Sequence, residues 1–232
     1  MTRTYKDITY TIARSDRKTA SIHIERDGQV SLLVPSTLSE MQIESLIESK
    51  RPWIYKSLAE WHDLNSSRVQ RAFVNGEGFP YLGRSYRLRL VEVQDQPLVL
   101  KNGYFCLLRR GNLPSGGDFT ATFEEFYRRK GLERLPQRVG IYEPKMGVAA
   151  KAVKVIDLKN RWGSCSPAGN LNFHWKCMMA PPTVLDYIVV HELAHLRFSN
   201  HTRAFWNEVD KILPDYRDRK GWLRVNGAGM DV

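Results

Sequence analysis

Alternation of apolar and polar residues dominates the first half of the chain, and helical spacing dominates the second. From Tyr5 to Ile12 and from Thr19 to Ile24 apolar side chains recur at every second position, the period of a strand with one buried face. Asp27-Gly28 is a hairpin signal ahead of a third strand, Val30 to Val34, which Pro35 ends. Ser39 with Gln42 has the form of a capping box, opening a helix through Met41, Ile43, Leu46 and Ile47. Pro52 is expected to interrupt that helix before Trp53, Ile54 and Leu58 resume the apolar stripe, with the aromatics in the core. A second strand-rich block covers Phe79 to Leu82, Tyr86 to Val93, Leu98 to Leu100 and Tyr104 to Leu108, with turns at Asn75-Gly76, Gly83 and Asn102-Gly103.

Gly111 to Asp118 reads as a linker, and the chain beyond it is mainly helical. Phe119 to Val139 is predicted as a helix burying Phe123, Phe126, Tyr127, Leu132 and Leu135. Val153 to Leu158 and Asn170 to Trp175 are predicted strands. The latter is expected to be an edge strand that pairs with an extended peptide. The Arg161 to Ser166 segment between them, with Gly163 and Cys165, reads as a tight bend packed on the next helix, with a role in lining the cleft as the alternative, and His174 as a strand-surface or cleft residue. A last helical region starts near His201-Thr202 and runs through Phe205, Trp206, Val209 and Ile212 to Pro214. There is no internal repeat. The fold class is therefore α+β: a β-rich region over 1–115, then a mainly helical region with a small sheet over 116–232.

Composition narrows the classes. The chain has 232 residues, 42% of them hydrophobic and 26% charged, which is a folded protein and not a disordered one. Three cysteines (Cys106, Cys165, Cys177) without a C-x-x-C pair argue against a disulfide framework or a cysteine zinc site. The first residues lack an apolar signal core, and no run approaches a membrane span, so a cytoplasmic location is expected. The net charge of +10 favours acidic partners, a nucleotide or nucleic acid among them.

The chemistry concentrates in His191-Glu192-Leu193-Ala194-His195, with His201 six positions on. Residues four apart share a helix face, so His191 and His195 offer two nitrogens to one zinc ion, while Glu192 reaches a water held by it. His201 is the candidate third ligand, returned by a turn in which Asn200 suits the left-handed conformation past a helix end near Ser199-Asn200. Pro181-Pro182, and Thr183 with Asp186 as a capping box, mark the start of that helix. From Val184 to Leu193 it is apolar nearly all round, and such a helix is buried.

Taken together, Arg161-Trp162-Gly163-Ser164-Cys165-Ser166, Leu171-Asn172, Asp186-Tyr187, His191 to Leu196, Asn200-His201 and Phe205-Trp206 resemble the YgjP-like family of zinc metallopeptidases, related to the SprT-like proteins. The resemblance spans most of the chain. It implies a zincin-like catalytic half, a Zn²⁺ held by His191, His195 and His201, Glu192 as catalytic acid/base, and a polypeptide substrate. Phe198 stands where metzincins place a turn glycine, and no Met-turn comes after it, which disfavours the metzincin fold. Two other functions remain open. One is a metal-dependent nucleotide (UTP-type) pyrophosphatase using the same centre, although no P-loop or Mg²⁺ carboxylate cluster is evident. The other is a nucleic-acid-associated binding protein, suggested by charge alone.

Overall fold

The computed structural model describes residues 2–25, 28–65, 71–109, 119–158 and 161–232. Asp27 and the 111–118 linker lie outside them. The chain divides into two compact units, Met1–Arg68 and Val69–Val232, not at residue 115. The reason is packing. Phe79 of the second strand block stacks on Phe123 at 4.2 Å, Phe105 lies 5.4 Å from the same ring, and the Tyr127 hydroxyl donates to the Pro80 carbonyl at 2.6 Å. That block therefore shares a core with the helical region and cannot be separated from it.

In the first unit, β1 (Thr2–Tyr5), β2 (Ile8–Ser15), β3 (Ser21–Ile24) and β4 (Val30–Pro35) form a sheet of order β1-β2-β4-β3. The expected Tyr5–Ile12 strand is two strands, because Lys6 adopts a left-handed φ of 53° and reverses the chain. The sheet packs on α1 (Glu40–Asn65). Its capping box is present: Ser39 N donates to Gln42 Oε1 at 2.9 Å, and Gln42 N to Ser39 Oγ at 3.3 Å. Pro52 does not break α1. Ile43 and Ile47 before the proline and Ile54 after it are all fully buried against the same sheet, so tertiary packing outweighs the lost hydrogen bond. Trp53 is not core; it is 47% exposed.

The second unit opens with β5 (Gly78–Tyr81), β6 (Arg84–Val91), β7 (Leu98–Lys101) and β8 (Tyr104–Leu108), then α2 (Thr120–Met146). The strand order, β5-β6-β8-β7, repeats that of the first sheet. The outer pairs are antiparallel and the central pair parallel in both. Each sheet precedes one long helix with an internal proline. This repeated topology is absent from the sequence pattern, since backbone pairing conserves no side-chain identity. Helix α2 continues through Gly131 and Pro136. A Cβ at 131 would lie 3.1 Å from a Val155 methyl, so glycine there permits close approach of the next sheet. Leu132 is 53% exposed, because about two and a half turns beyond Phe123 it faces away from the core.

That next sheet comprises β9 (Ala152–Ile156), β10 (Gly163–Cys165) and β11 (Asn170–His174), in the order β10-β11-β9. Strand β11 is therefore central and has no free edge. The expectation that it receives a peptide is overturned by β10, a strand in place of the expected bend, which occupies that side. His174 N donates to Trp162 O and Ser166 N to Asn170 O, both at 2.9 Å, so alternate peptide groups face β11. Those of Gly163 and Cys165 fall on the outer edge.

Three helices complete the unit: α3 (Pro182–Ala194), α4 (Arg203–Ile212) and α5 (Tyr216–Asn226). Helix α5 is additional to the expected elements, because Arg217 to Arg224 reads as a charge run with few apolar positions. The chain is thus α+β, with strands in its N-terminal half and helices in its C-terminal half. No described helix is long and apolar enough to cross a membrane.

Candidate metal centre

Helix α3 is buried on nearly all sides, from Val184 through Ala194. It starts on Pro182, whose fixed φ and missing N–H suit the first helical position. No Thr183–Asp186 capping box forms. Asp186 instead accepts a bidentate pair from Arg138 on α2, Nε to Oδ1 at 2.6 Å and Nη2 to Oδ2 at 2.5 Å. Gly83 docks on the same helix start: a Cβ there would lie 2.8 Å from Pro181 Cα. Asp186→Ala is expected to cost about 1–2 kcal/mol by removing the bidentate partner of a partly exposed Arg138 guanidinium, read as a fall in the chemical-denaturation midpoint.

The helix ends sooner than its apolar pattern suggests, at Ala194, with His195 as its C-cap. Arg197 N and Phe198 N both donate to Ala194 O, at 3.1 and 3.0 Å, which tightens the last turn. The chain returns without a left-handed residue: Asn200 is not among the positive-φ positions, and its carbonyl accepts from Thr202 N at 2.8 Å. This brings His201 over the helix end.

The ligand atoms of His191, His195 and His201 lie within 4.8 Å of one another. His201 Nε2 and His191 Nε2 are 2.9 Å apart. Phe205, fully buried on α4, touches all three rings at 4.7–4.9 Å between centroids. Trp206 stacks on His201 at 5.6 Å and Tyr216 on Trp206 at 5.3 Å, a ladder that fixes the third histidine from α4 and α5. The additional helix α5 is therefore part of the site. Its signal in the sequence is weak, an apolar Tyr216 and Leu223 amid charges.

The donor set fits zinc. His195 Nδ1 donates to the Phe198 carbonyl at 2.9 Å, so the Nε2 lone pair is free to ligate. Burial, then the two neighbouring imidazoles, pull His191 down to about 3, so it stands as a neutral acceptor. His201 is shifted the same way, first by burial. Two facing acceptor nitrogens are best satisfied by one shared cation, and three imidazoles leave a tetrahedral ion one open position. Among the described residues, Cys165 and His174 stand outside the cluster. His174 is buried, not a surface or cleft residue, and its Nε2 lies 3.1 Å from Asp157 Oδ1.

Glu192 is 5% exposed, and burial pushes its carboxyl up to about 8 against the opposing charge of Arg161. Strand β10 closes over it: a Cβ at Gly163 would lie 2.6 Å from Glu192 Cγ and Oε1. Thus Glu192, the histidine cluster and a strand edge meet at one place.

The sequence profile described as "YgjP-like, metallopeptidase domain" matches residues 18–226. The chain belongs to the YgjP-like family. Its metallopeptidase domain thus spans both compact units. No curated protein matches the YgjP-like chain. Among solved structures it is similar to the crystal structure of the metallopeptidase zymogen of Pyrococcus abyssi abylysin, at 22% identity and a TM-score of 0.39, over 42% of this chain and 99% of that one.

For this YgjP-like chain, saturating zinc is expected to raise the melting temperature by several degrees over chelated protein, since metal at about 100 times its Kd adds about 2.7 kcal/mol. His201→Ala should lose both tight zinc binding and that rise. Full zinc occupancy in the variant would remove His201 from the ligand set.

Proposed function

We propose that the chain is a zinc-dependent peptidase in which His191, His195 and His201 hold the metal and Glu192 is the general base. The observation that carries this reading is the convergence of three imidazoles within 4.8 Å beside a buried carboxylate. Zinc held there supplies Lewis acidity, polarising a carbonyl and acidifying water. The Glu192 carboxylate takes a proton from the attacking water and returns it to the leaving amine. Burial raises the basicity of the ionised carboxylate, so the rate should climb as pH rises towards about 8 and the acid form gives way. Phe205 and the apolar body of α3 pack against the half-buried His191 and His195 and strengthen electrostatic contacts on that side.

An extended substrate fits along β10. The outward peptide groups of Gly163 and Cys165 offer backbone hydrogen bonds without regard to sequence, and they lie beside the base. Zinc-loaded protein is expected to hydrolyse an unfolded polypeptide, to lose that activity with chelator and to regain it with zinc. A nucleoside triphosphate offered in parallel distinguishes the other chemistry. Zinc- and Glu192-dependent pyrophosphate release without proteolysis would replace the peptidase reading.

A further inference from the structure

We propose that Lys220, on α5, is the electrophilic partner of Glu192: it receives the negative charge that develops on the scissile carbonyl oxygen. This rests on the peptidase reading above. The observations are geometric. The Lys220 ammonium sits 4.3 Å from the Trp206 ring centroid, and that ring stacks on His201 at 5.6 Å and lies 5.8 Å from His191. A cation–π contact thus anchors the lysine beside the two ligand histidines that face each other at 2.9 Å. Among the described residues Lys220 pairs with no carboxylate, and it is exposed, so its charge is available to an incoming group. Its neighbour Arg219 is differently engaged. It pairs with Asp215 at 2.9 Å and donates to the Thr183 carbonyl at 2.9 Å, which ties α5 to the start of α3.

The two cations of the site divide their work. Arg161 adjoins β10, the strand that lies against Glu192, and Lys220 adjoins the Trp206 ring that stacks on His201. Glu192 on α3 and the Lys220 ammonium on α5 therefore reach the histidine cluster from different elements. That division is what addition of water to a carbonyl needs. The water oxygen forms a bond to the carbonyl carbon while Glu192 takes its proton, and the π pair moves onto the carbonyl oxygen. A fixed positive charge near that oxygen stabilises the transition state more than the neutral ground state. When the carbon–nitrogen bond breaks, the pair returns to the carbonyl and the proton on Glu192 passes to the amine.

The test uses the full zinc-loaded chain and the variants Lys220→Met and Lys220→Arg. Three readouts are zinc content, kcat and KM on peptides with blocked and free C-termini, and binding of a phosphinic peptide that mimics the tetrahedral oxyanion. In Lys220→Met, kcat should fall about 10²-fold on both peptide types with KM within a few-fold. Phosphinic peptide binding should weaken by a similar factor, zinc should stay at the parent level, and Lys220→Arg should recover most of the loss. Parent-like kcat and inhibitor binding in Lys220→Met would overturn the proposal. So would loss of zinc, which marks a structural role, or an effect confined to KM of free-carboxylate peptides, which marks a terminus-binding role. If the parent neither hydrolyses peptides nor binds the phosphinic peptide, the peptidase reading itself falls, and this assignment with it.

Discussion

Glu192→Gln is expected to leave zinc content and melting temperature near the parent values and to lower kcat by about 10²-fold or more. Glutamine fills the same volume but cannot take a proton from water. Because Glu192 is 5% exposed, and burial holds its carboxyl far above the ordinary range, a neutral amide stands in for the neutral acid that burial favours, at little cost in desolvation. The folded protein should therefore tolerate the change well. Atomic absorption for zinc, alongside initial rates on an unfolded protein substrate, checks both halves. Parent-like rates would remove Glu192 from the role of base, whereas lost zinc would make it a ligand.

Gly163→Ala should have nearly as large an effect through a single methyl group. The added Cβ would sit 2.6 Å from both Cγ and Oε1 of Glu192 and 2.8 Å from Cδ. Cγ is not the free end of a flexible side chain, and the buried carboxylate has little room into which to retreat. The Glu192 carboxyl must be displaced by a large fraction of an ångström. Misplacement of that order costs about 10²-fold in rate. Gly163 lacks a positive φ, so alanine imposes no backbone strain, and the histidine cluster does not involve β10. The expected signature is lost kcat with zinc binding intact. A variant that turns over normally would show that β10 is displaced from Glu192 during the reaction.

Much of this arrangement is written locally. The i, i+4 spacing of His191 and His195 obliges them to share a helix face wherever that helix sits. The unbroken apolar run around them obliges the helix to be buried. Ser39 and Gln42 close their capping box within four residues, and strand periodicity marks three strands of the first sheet and all four of the second, because these features depend on neighbours in sequence. What tertiary structure alone decided was every question of which element lies beside which. Pro52 stays inside α1 because Ile43, Ile47 and Ile54 are held by one sheet, and Asp186 serves Arg138 on α2 and not a cap. Strand β11 is central because β10 pairs with it, which makes β10 the outer strand and sets Gly163 against Glu192. Helix α5 reaches the site because Tyr216 stacks on Trp206 and Trp206 on His201, a contact between residues that no periodicity relates. Periodicity states which face of an element is buried. Only the packing of those faces against one another selects the partner, and in this chain the partners of His201 and Glu192 are selected in that way.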